Sequence, residues 1–461
     1  MTEKVYVVTD LGPGDGGKGG VVHKICDLVD PEFVVKVGGG QGSHGVRTSN
    51  GESFAFSHWG CGTFQGVKTH LSKRFVAIPE GILNEADILR YQHGVHNALD
   101  LLTVDEKALC ATHYHGIASR LKEMARGENP RGTIGTGVGE AYRDAQRYPN
   151  LAIRAGDLSR SDLQDKIAAV REQVRLDLDS IIRAEFLPED REEAEQEVAL
   201  LSSDRFFKFV VKRFQECSDR VKIVDTDYLS REILAKDSPV VVESSHGVLT
   251  DHYYGFFPHV SAIETLPRFA NAMLRQAGYA GKIVNLGVTR AYTIRHGAGP
   301  MPTDAPSMLD NLLPGSHKVD NRYQGRVRVG PLDFVMLKYA LQVCGGPSAF
   351  DGLAVTWFDQ IQTNGVWRLC SRYANALDEN FFTPQGEIKV HRGTDDRQLE
   401  HQEQLGKQLQ NCEPENWLIK IPKDADREEL FSICAAGFRC ELGVPVRMVG
   451  FGPTELDKVC Q

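Results

Sequence analysis

Two glycine-rich stretches within the first 45 residues carry reactive side chains where side chains are otherwise scarce. The first is Gly12-Pro13-Gly14-Asp15-Gly16-Gly17-Lys18-Gly19-Gly20. Its spacing fits G-x-x-x-x-G-K, a loop whose backbone N–H groups can face phosphate oxygens while the lysine supplies a point charge. Gly19 stands where such loops usually place the Ser/Thr that binds magnesium. Asp15 is the odd member, because a carboxylate repels phosphate; it makes chemical sense if it faces a metal ion or accepts a proton. The second stretch is Gly38-Gly39-Gly40-Gln41-Gly42-Ser43-His44-Gly45. A histidine among near-bare backbone has little to pack against, and beside a phosphate it could donate a hydrogen bond or act as a general acid.

Further along, Gly132-Thr133-Ile134-Gly135-Thr136-Gly137-Val138-Gly139 could bind an anion through its amides, or merely turn the chain. Gly325-Arg326-Val327-Arg328-Val329-Gly330 sets two arginines at alternate positions. In extended backbone both guanidinium forks point one way, which suits a dicarboxylate or a phosphate; a basic strand edge is the plainer alternative. Thr356-Trp357-Phe358-Asp359 closes a β-branched run with an aspartate that could read a guanine N1–H and 2-amino group, or cap the next helix. His113 and His115 have no carboxylate or third histidine at ligand spacing and read as ordinary polar residues.

The elements that position these residues follow from hydropathy. Val5–Thr9 is a strand feeding the first loop, Val21–Leu28 a helix leaving it, and Phe33–Val37 a second strand feeding the second loop. Val240–Glu243, Lys282–Val288, Leu353–Trp357 and Val444–Val449 repeat the buried-strand pattern. Strand, loop, helix, strand gives an α/β fold with a central, mostly parallel sheet, a phosphate-binding loop after the first strand, and helical and loop excursions. The charged stretch from Leu158 to about Lys236 has helical period and reads as a solvated helical layer. With no internal repeat or clear linker, residues 1–461 read as a single domain.

A net charge of −9 argues against a nucleic-acid or membrane-surface binder, so an anionic substrate needs a local basic site. The ten cysteines are scattered, with no C-x-x-C pair, which suits free thiols in a reducing compartment. The N-terminus lacks a secretory pattern and no apolar run is long enough to span a bilayer; the expectation is a cytoplasmic protein with no membrane or nucleic-acid partner.

Taken in order, the motifs resemble those of the adenylosuccinate synthetase family. GPGDGGKGG resembles the family's G-D-E-G-K-G-K, GGGQGSHG its G-G-x-N-A-G-H-T, and Gly132–Tyr142 with Arg154–Leu158 its G-T-T-G-R-G-I-G-P-A-Y and R-V-G-D-L. Glu243–Val260, Tyr292–Thr303, Gly325–Arg328 and Leu353–Asp359 resemble, in turn, its E-G-A-Q-G segment, Y-T-T-R-V-G-A-G-P-F-P-T, G-R-x-R and L-A-L-T-K-L-D. The resemblance implies a ligase that joins L-aspartate to IMP at the expense of GTP through a 6-phosphoryl intermediate. It implies Asp15 as the group that takes the purine N1 proton, with His44 stabilising the phosphoryl transfer. Gly14, Gly16, Gly17, Lys18, Gly19, Thr356, Asp359 and Pro453 fall where the family binds the triphosphate. Gln41, Thr133, Ile134, Arg147, His246, Ser261, His296 and Arg326 fall at the acceptor nucleotide, and Gln324, Arg326 and Arg328 at aspartate. Mg2+ is the implied cofactor, held at Asp15 and Ser43. Arg147 lies about where the family reaches into a neighbouring subunit, which implies a homodimer.

The departures cluster at the acceptor. Gln41 replaces asparagine, Ile134 a threonine, His246 a glutamine, His296 a valine and Gln324 a threonine, while Ser261 keeps a hydroxyl. Exchanging buried polar partners costs roughly 1–3 kcal/mol each, enough together to redesign a pocket. Trp357 and Gly16 replace a lysine and a glutamate, which leaves GTP and ATP both open. The alternatives are a paralogue that couples aspartate to a different oxopurine nucleotide, and a non-catalytic nucleotide sensor on the same fold.

Overall fold

Short β-branched runs whose side chains are buried on both faces build the centre of the molecule. The computed structural model describes residues 4–183, 185–313 and 322–461. The first strand, Lys4–Asp10, buries Val5, Val7 and Val8 completely and pairs in parallel with Val240–Gly247 on one side and Lys282–Arg290 on the other. Those neighbours belong to an eleven-stranded sheet. Outward from Lys282–Arg290 come Gly352–Thr356, Val446–Gly450 and the antiparallel edge strand Lys458–Cys460. Outward from Val240–Gly247 come Phe33–Gly39, Lys68–Ala77, Leu102–Asp105 and Lys222–Val224, all parallel, with Leu109–Cys110 also pairing to Lys68–Ala77. This is the α/β class expected, and six of these strands coincide with the runs named above.

The first strand therefore sits where the strand order reverses, flanked by two strands from far along the chain. Loops leaving the carboxyl ends of parallel strands at such a point diverge and open a crevice, the usual ligand position in open α/β sheets. Five carboxyl ends meet there: Asp10, Gly39, Gly247, Arg290 and Thr356.

The helix leaving the first loop runs from Lys18 to Val29 and buries Val21, Val22, Ile25 and Cys26 against the sheet. It begins at Gly17, whose φ of 89° suits glycine, and stops at Asp30, whose N–H closes on the Cys26 carbonyl. The charged stretch forms helices Leu163–Asp177, Arg191–Ser202 and Asp204–Arg220. Each keeps an inward stripe, such as Ile167, Val170 and Val174, and turns most of its charges to solvent, with Glu197 buried against Arg120 as an exception. All ten cysteines are free thiols, and among the described residues no helix is long and apolar enough to cross a membrane. Two small antiparallel pairs border the crevice: His44–Arg47 with Ser53–Phe56, and Thr293–His296 with Val327–Gly330.

Candidate active site

Asp10, the last residue of the first strand, organises the first loop. Its carboxylate is fully buried and accepts hydrogen bonds from Gly12 N (2.8 Å), Gly16 N (2.7 Å) and Lys18 Nζ (3.1 Å). A side chain at Gly16 would strike it, since a Cβ there would fall 2.7 Å from Asp10 Oδ2. Lys18 Nζ also donates to the His246 carbonyl at 2.6 Å, so its charge is fixed under the loop. Gly19 packs directly on the backbone of His44–Gly45, where any Cβ would collide with the Gly45 carbonyl oxygen. The missing Ser/Thr thus has a steric reason: the second loop occupies its place.

Asp15 stands at the loop's tip with φ 58°, in the left-handed region, and its side chain is 48% exposed. Its carbonyl accepts from Arg290 Nε at 2.6 Å, and its Oδ2 lies 3.5 Å from His296 Nε2. Thr356 Oγ1 donates to the Gly16 carbonyl at 2.7 Å, tying the loop to the strand end before Trp357.

His44 is buried beside Glu243, with Nδ1 2.6 Å from Glu243 Oε1. Glu243 is fully enclosed and also meets Lys36 Nζ at 3.2 Å and accepts from Cys61 N at 2.9 Å. Burial alone would raise its carboxyl, but Lys36 and His44 overcome this and hold it well below the usual carboxylate range. Burial lowers the His44 imidazole, and Glu243 partly offsets that. His44, Cys61 and Glu243 bring metal-type ligand atoms within 4.8 Å of one another, yet the Lys36 ammonium already supplies their cation. Next to them His246 sits at φ 60°, with Nε2 2.5 Å from Gln41 Nε2. Burial, with Lys18 and His44 nearby, pushes the His246 imidazole down to about 4. Gln41 Oε1 is buried without a partner among the described residues, an acceptor left for a donor from outside.

A cleft of about 660 Å3 begins at Gly297, next to the His296 that faces Asp15, and Gln324, Arg326 and Arg328 all line it. Arg328 Nη2 donates to the carbonyls of Gly297 (2.7 Å) and Gly299 (2.8 Å), and its Nη1 is 3.7 Å from Asp304 Oδ2. Arg328 Nε is a buried donor without a partner among the described residues. Arg326 is exposed in the same cleft. Arg295 stands opposite Arg328 in register; burial and the neighbouring charge push it down to about 9.

The remaining candidates lie around this centre. Asp359 is in the first turn of the helix Phe358–Asn364, whose cap is Trp357 rather than the aspartate; burial raises the Asp359 carboxyl. Pro453 is exposed, and its carbonyl accepts from Lys458 Nζ at 3.3 Å. Lys458 approaches Gly20, so the C-terminal segment borders the first helix. Ser43 is exposed at the tip of the second loop. Thr133 Oγ1 sits 2.8 Å from Ser119 Oγ, Ile134 is 37% exposed, and Ser261 Oγ accepts from Ile263 N. Arg147 ends the helix Val138–Arg147 with its side chain 69% exposed, 3.9 Å from Asp177 and over the Tyr148 ring, apart from the loop cluster. His115 caps its own helix with Thr112, and His113 packs against Phe206 and Phe209, as ordinary polar residues do.

Asp10, Lys36, Glu243 and Arg290 were not among the candidate residues, yet they hold the ones that were. An acidic residue ending a β-branched run just before a glycine-rich loop, and a lysine inside the apolar run FVVKV, are the signals that mark the first two.

The likenesses to known proteins agree with this arrangement. The solved structure of a fully ligated adenylosuccinate synthetase from Plasmodium falciparum shares the fold at TM-score 0.74 and 18% identity, covering 99% of each chain. The cyanophage S-2L succinoaminodeoxyadenylate synthetase, solved with dGMP and dATP, does so at TM-score 0.58 and 14% identity, over 100% of this chain and 96% of that one. The adenylosuccinate synthetase of Marinomonas sp. is 26% identical over 99% of this chain and 98% of its own. That of Halothermothrix orenii is 26% identical over 83% of each. The adenylosuccinate synthetase family model matches residues 7–457, and the chain belongs to that family of C–N ligases.

Proposed function

We propose that the protein condenses L-aspartate with IMP, driven by a nucleoside triphosphate, GTP in the first instance, to give adenylosuccinate. The observation that carries this reading is the convergence of Asp15, Lys18, His44 and His246 at adjacent carboxyl ends of one parallel sheet, beside a cleft lined by Arg326 and Arg328. Asp15, exposed at the loop tip, takes the N1 proton of the purine, and O6 then attacks the γ-phosphorus, breaking its bond to the β-phosphate oxygen and releasing the nucleoside diphosphate. The His44 imidazole, oriented by Glu243, faces the transferring phosphoryl group; the group's negative charge raises the proton affinity of the imidazole and turns it into a donor. The loop amides and Lys18 hold the phosphates. Arg326 and Arg328 hold aspartate, whose amine displaces phosphate from C6. Gln41 and His246, with Thr133, Ile134, Ser261 and His296, face the acceptor nucleotide, while Thr356, Asp359 and Pro453 border the triphosphate base.

The Asp15 carboxylate and the Ser43 residue offer the hard oxygen donors that Mg2+ takes, and both are exposed. The imidazole–thiol–carboxylate group around Glu243 fits it poorly, because Lys36 already neutralises that carboxylate. When bound, Mg2+ neutralises charge on the phosphates. The same reading makes the protein a cytoplasmic homodimer in which Arg147 reaches the acceptor phosphate of the partner.

The test is phosphate release by the purified protein with Mg2+, aspartate and IMP, comparing GTP with ATP, while succinyl-adenine absorbance is followed in the same cuvette. Aspartate- and IMP-dependent release with product supports the reading. Turnover only with another oxopurine nucleotide would move the acceptor, and nucleotide binding without turnover would make the protein a sensor.

A further inference from the structure

Four described non-glycine residues have positive φ: Asp15, Asp30, His246 and Trp357. Asp30 ends a helix. The other three lie in the site, and Asp15 and Trp357 touch the same side chain, Arg290. That guanidinium ends the strand Lys282–Arg290 and is 7% exposed. Its Nε donates to the Asp15 carbonyl at 2.6 Å and its Nη1 to the Tyr292 hydroxyl at 2.7 Å. Its Cζ lies over the Trp357 ring, 4.4 Å from the centroid. Among the described residues Arg290 forms no salt bridge, so its buried charge is held by a carbonyl, a hydroxyl and aromatic faces.

Left-handed backbone at a non-glycine residue persists only where surroundings over-determine it, and such residues gather at functional sites. Here one rigid fork fixes two of them. A second link runs parallel to it: Thr356 Oγ1, next to Trp357, bonds the carbonyl of Gly16, next to Asp15. Two tethers hold the Asp15–Gly16 tip against the Thr356–Trp357 corner.

We propose that Arg290 is a positioning residue that clamps Asp15 to Trp357, so that the corner beside Asp359 and the carboxylate facing the acceptor move as one body. This rests on Asp15 being the proton acceptor. Seating the triphosphate base near Trp357 and Asp359 then also sets the reach of Asp15. Arg290 serves turnover by way of Asp15 and is not itself a phosphate ligand. Lysine cannot replace it, because a point charge lacks the rigid fork that donates to the Asp15 carbonyl and the Tyr292 hydroxyl at once while covering the indole.

The experiment compares wild type, Arg290→Lys, Arg290→Gln and Trp357→Ala in the intact protein with Mg2+, aspartate, IMP and GTP. GTP affinity is measured separately by calorimetry, and amide hydrogen exchange is followed over residues 12–17. Arg290→Gln is expected to lower kcat on the order of 100-fold, the scale of a misplaced catalytic group, while GTP affinity changes far less. Trp357→Ala is expected to lower kcat alone but to add little to Arg290→Gln, as coupled residues do. Arg290→Lys is expected to recover only part of the loss. Loss of GTP affinity with kcat unchanged would make Arg290 a phosphate ligand and overturn the proposal, as would full additivity. Faster exchange of the loop amides in Arg290→Gln supports the clamp and unchanged exchange overturns it, even without turnover. Wild-type protein that fails to turn over IMP would count against the functional reading alone.

Discussion

His44 Nδ1 lies 2.6 Å from Glu243 Oε1, inside the protein, and Glu243 in turn meets Lys36 at 3.2 Å. The imidazole is held by a carboxylate whose own charge is balanced from behind. Its Nδ1–H is committed to Glu243, which leaves Nε2 for the substrate. His44→Ala is expected to lower kcat by between about 100- and 10,000-fold, the range for a removed general acid, with a smaller change in KM for GTP. Steady-state kinetics at saturating aspartate reads this directly.

Glu243→Gln separates orientation from charge. The amide can still accept from His44, but Lys36 is left as an uncompensated buried cation. Breaking a buried pair from one side destabilises by about 3–5 kcal/mol, so this variant is expected to lower the denaturant midpoint clearly. The double variant Lys36→Met, Glu243→Gln should regain part of that stability, and denaturant titration of the three proteins checks it.

Gly19→Ser would supply the hydroxyl that most lysine-ending phosphate loops carry. It is expected to cost about 1–3 kcal/mol and to lower activity, because its Cβ meets the Gly45 carbonyl. A variant with unchanged melting temperature and raised Mg2+ affinity would show that the second loop yields.

Arg328→Ala is expected to raise KM for the amino acid by roughly 10- to 100-fold, the worth of a charge-assisted hydrogen bond, with little change for the triphosphate. Equal effects on both would show that its bonds to Gly297 and Gly299 matter more than its reach into the cleft.

His70 gives a pH prediction away from the chemistry. It is wholly buried, and burial pushes its imidazole down to about 3. The unfolded chain binds the proton below about 6.5 while the folded chain refuses it until about 3, so stability falls as pH drops through that window. The slope from this one group approaches about 1.4 kcal/mol per pH unit between pH 6 and 4. His70→Gln should flatten it, which denaturant midpoints at pH 4.5, 5.5 and 6.5 would show.

The loops were legible in the sequence because glycine and charge are local signals. Gly12–Gly20 and Gly38–Gly45 needed only the strands before them, and VYVVT and FVVKV announced those. The braces were not legible, because each is a matter of register. Lys36 faces Glu243 only once Phe33–Gly39 and Val240–Gly247 lie side by side, as neighbours 207 positions apart in sequence. Periodicity does not reveal the strand Lys68–Ala77 either. Its polar Thr69, His70 and Ser72 are buried by distant partners, Thr69 by Gly60, His70 by Thr103 and Tyr228, and Ser72 by the Lys36 carbonyl, not by their own hydropathy. Arg290 stayed hidden for a third reason, since an arginine ending a strand shows no preference for a carbonyl and an indole over solvent.

The bond from Thr356 to Gly16 spans 340 positions of the chain. During synthesis the loop that begins at Gly12 waits for nearly three quarters of the polypeptide before this tether exists. Until the strand Gly352–Thr356 joins the sheet, Asp15 is held by Arg290 alone, without the second tether through Gly16. The full bracing of the first loop is therefore a late property of the growing chain. A ribosome-bound fragment ending before residue 352 keeps the bonds from Asp10, His246 and Arg290 but lacks the one from Thr356, so its Asp15–Gly16 tip should exchange amide hydrogens faster than in the full chain.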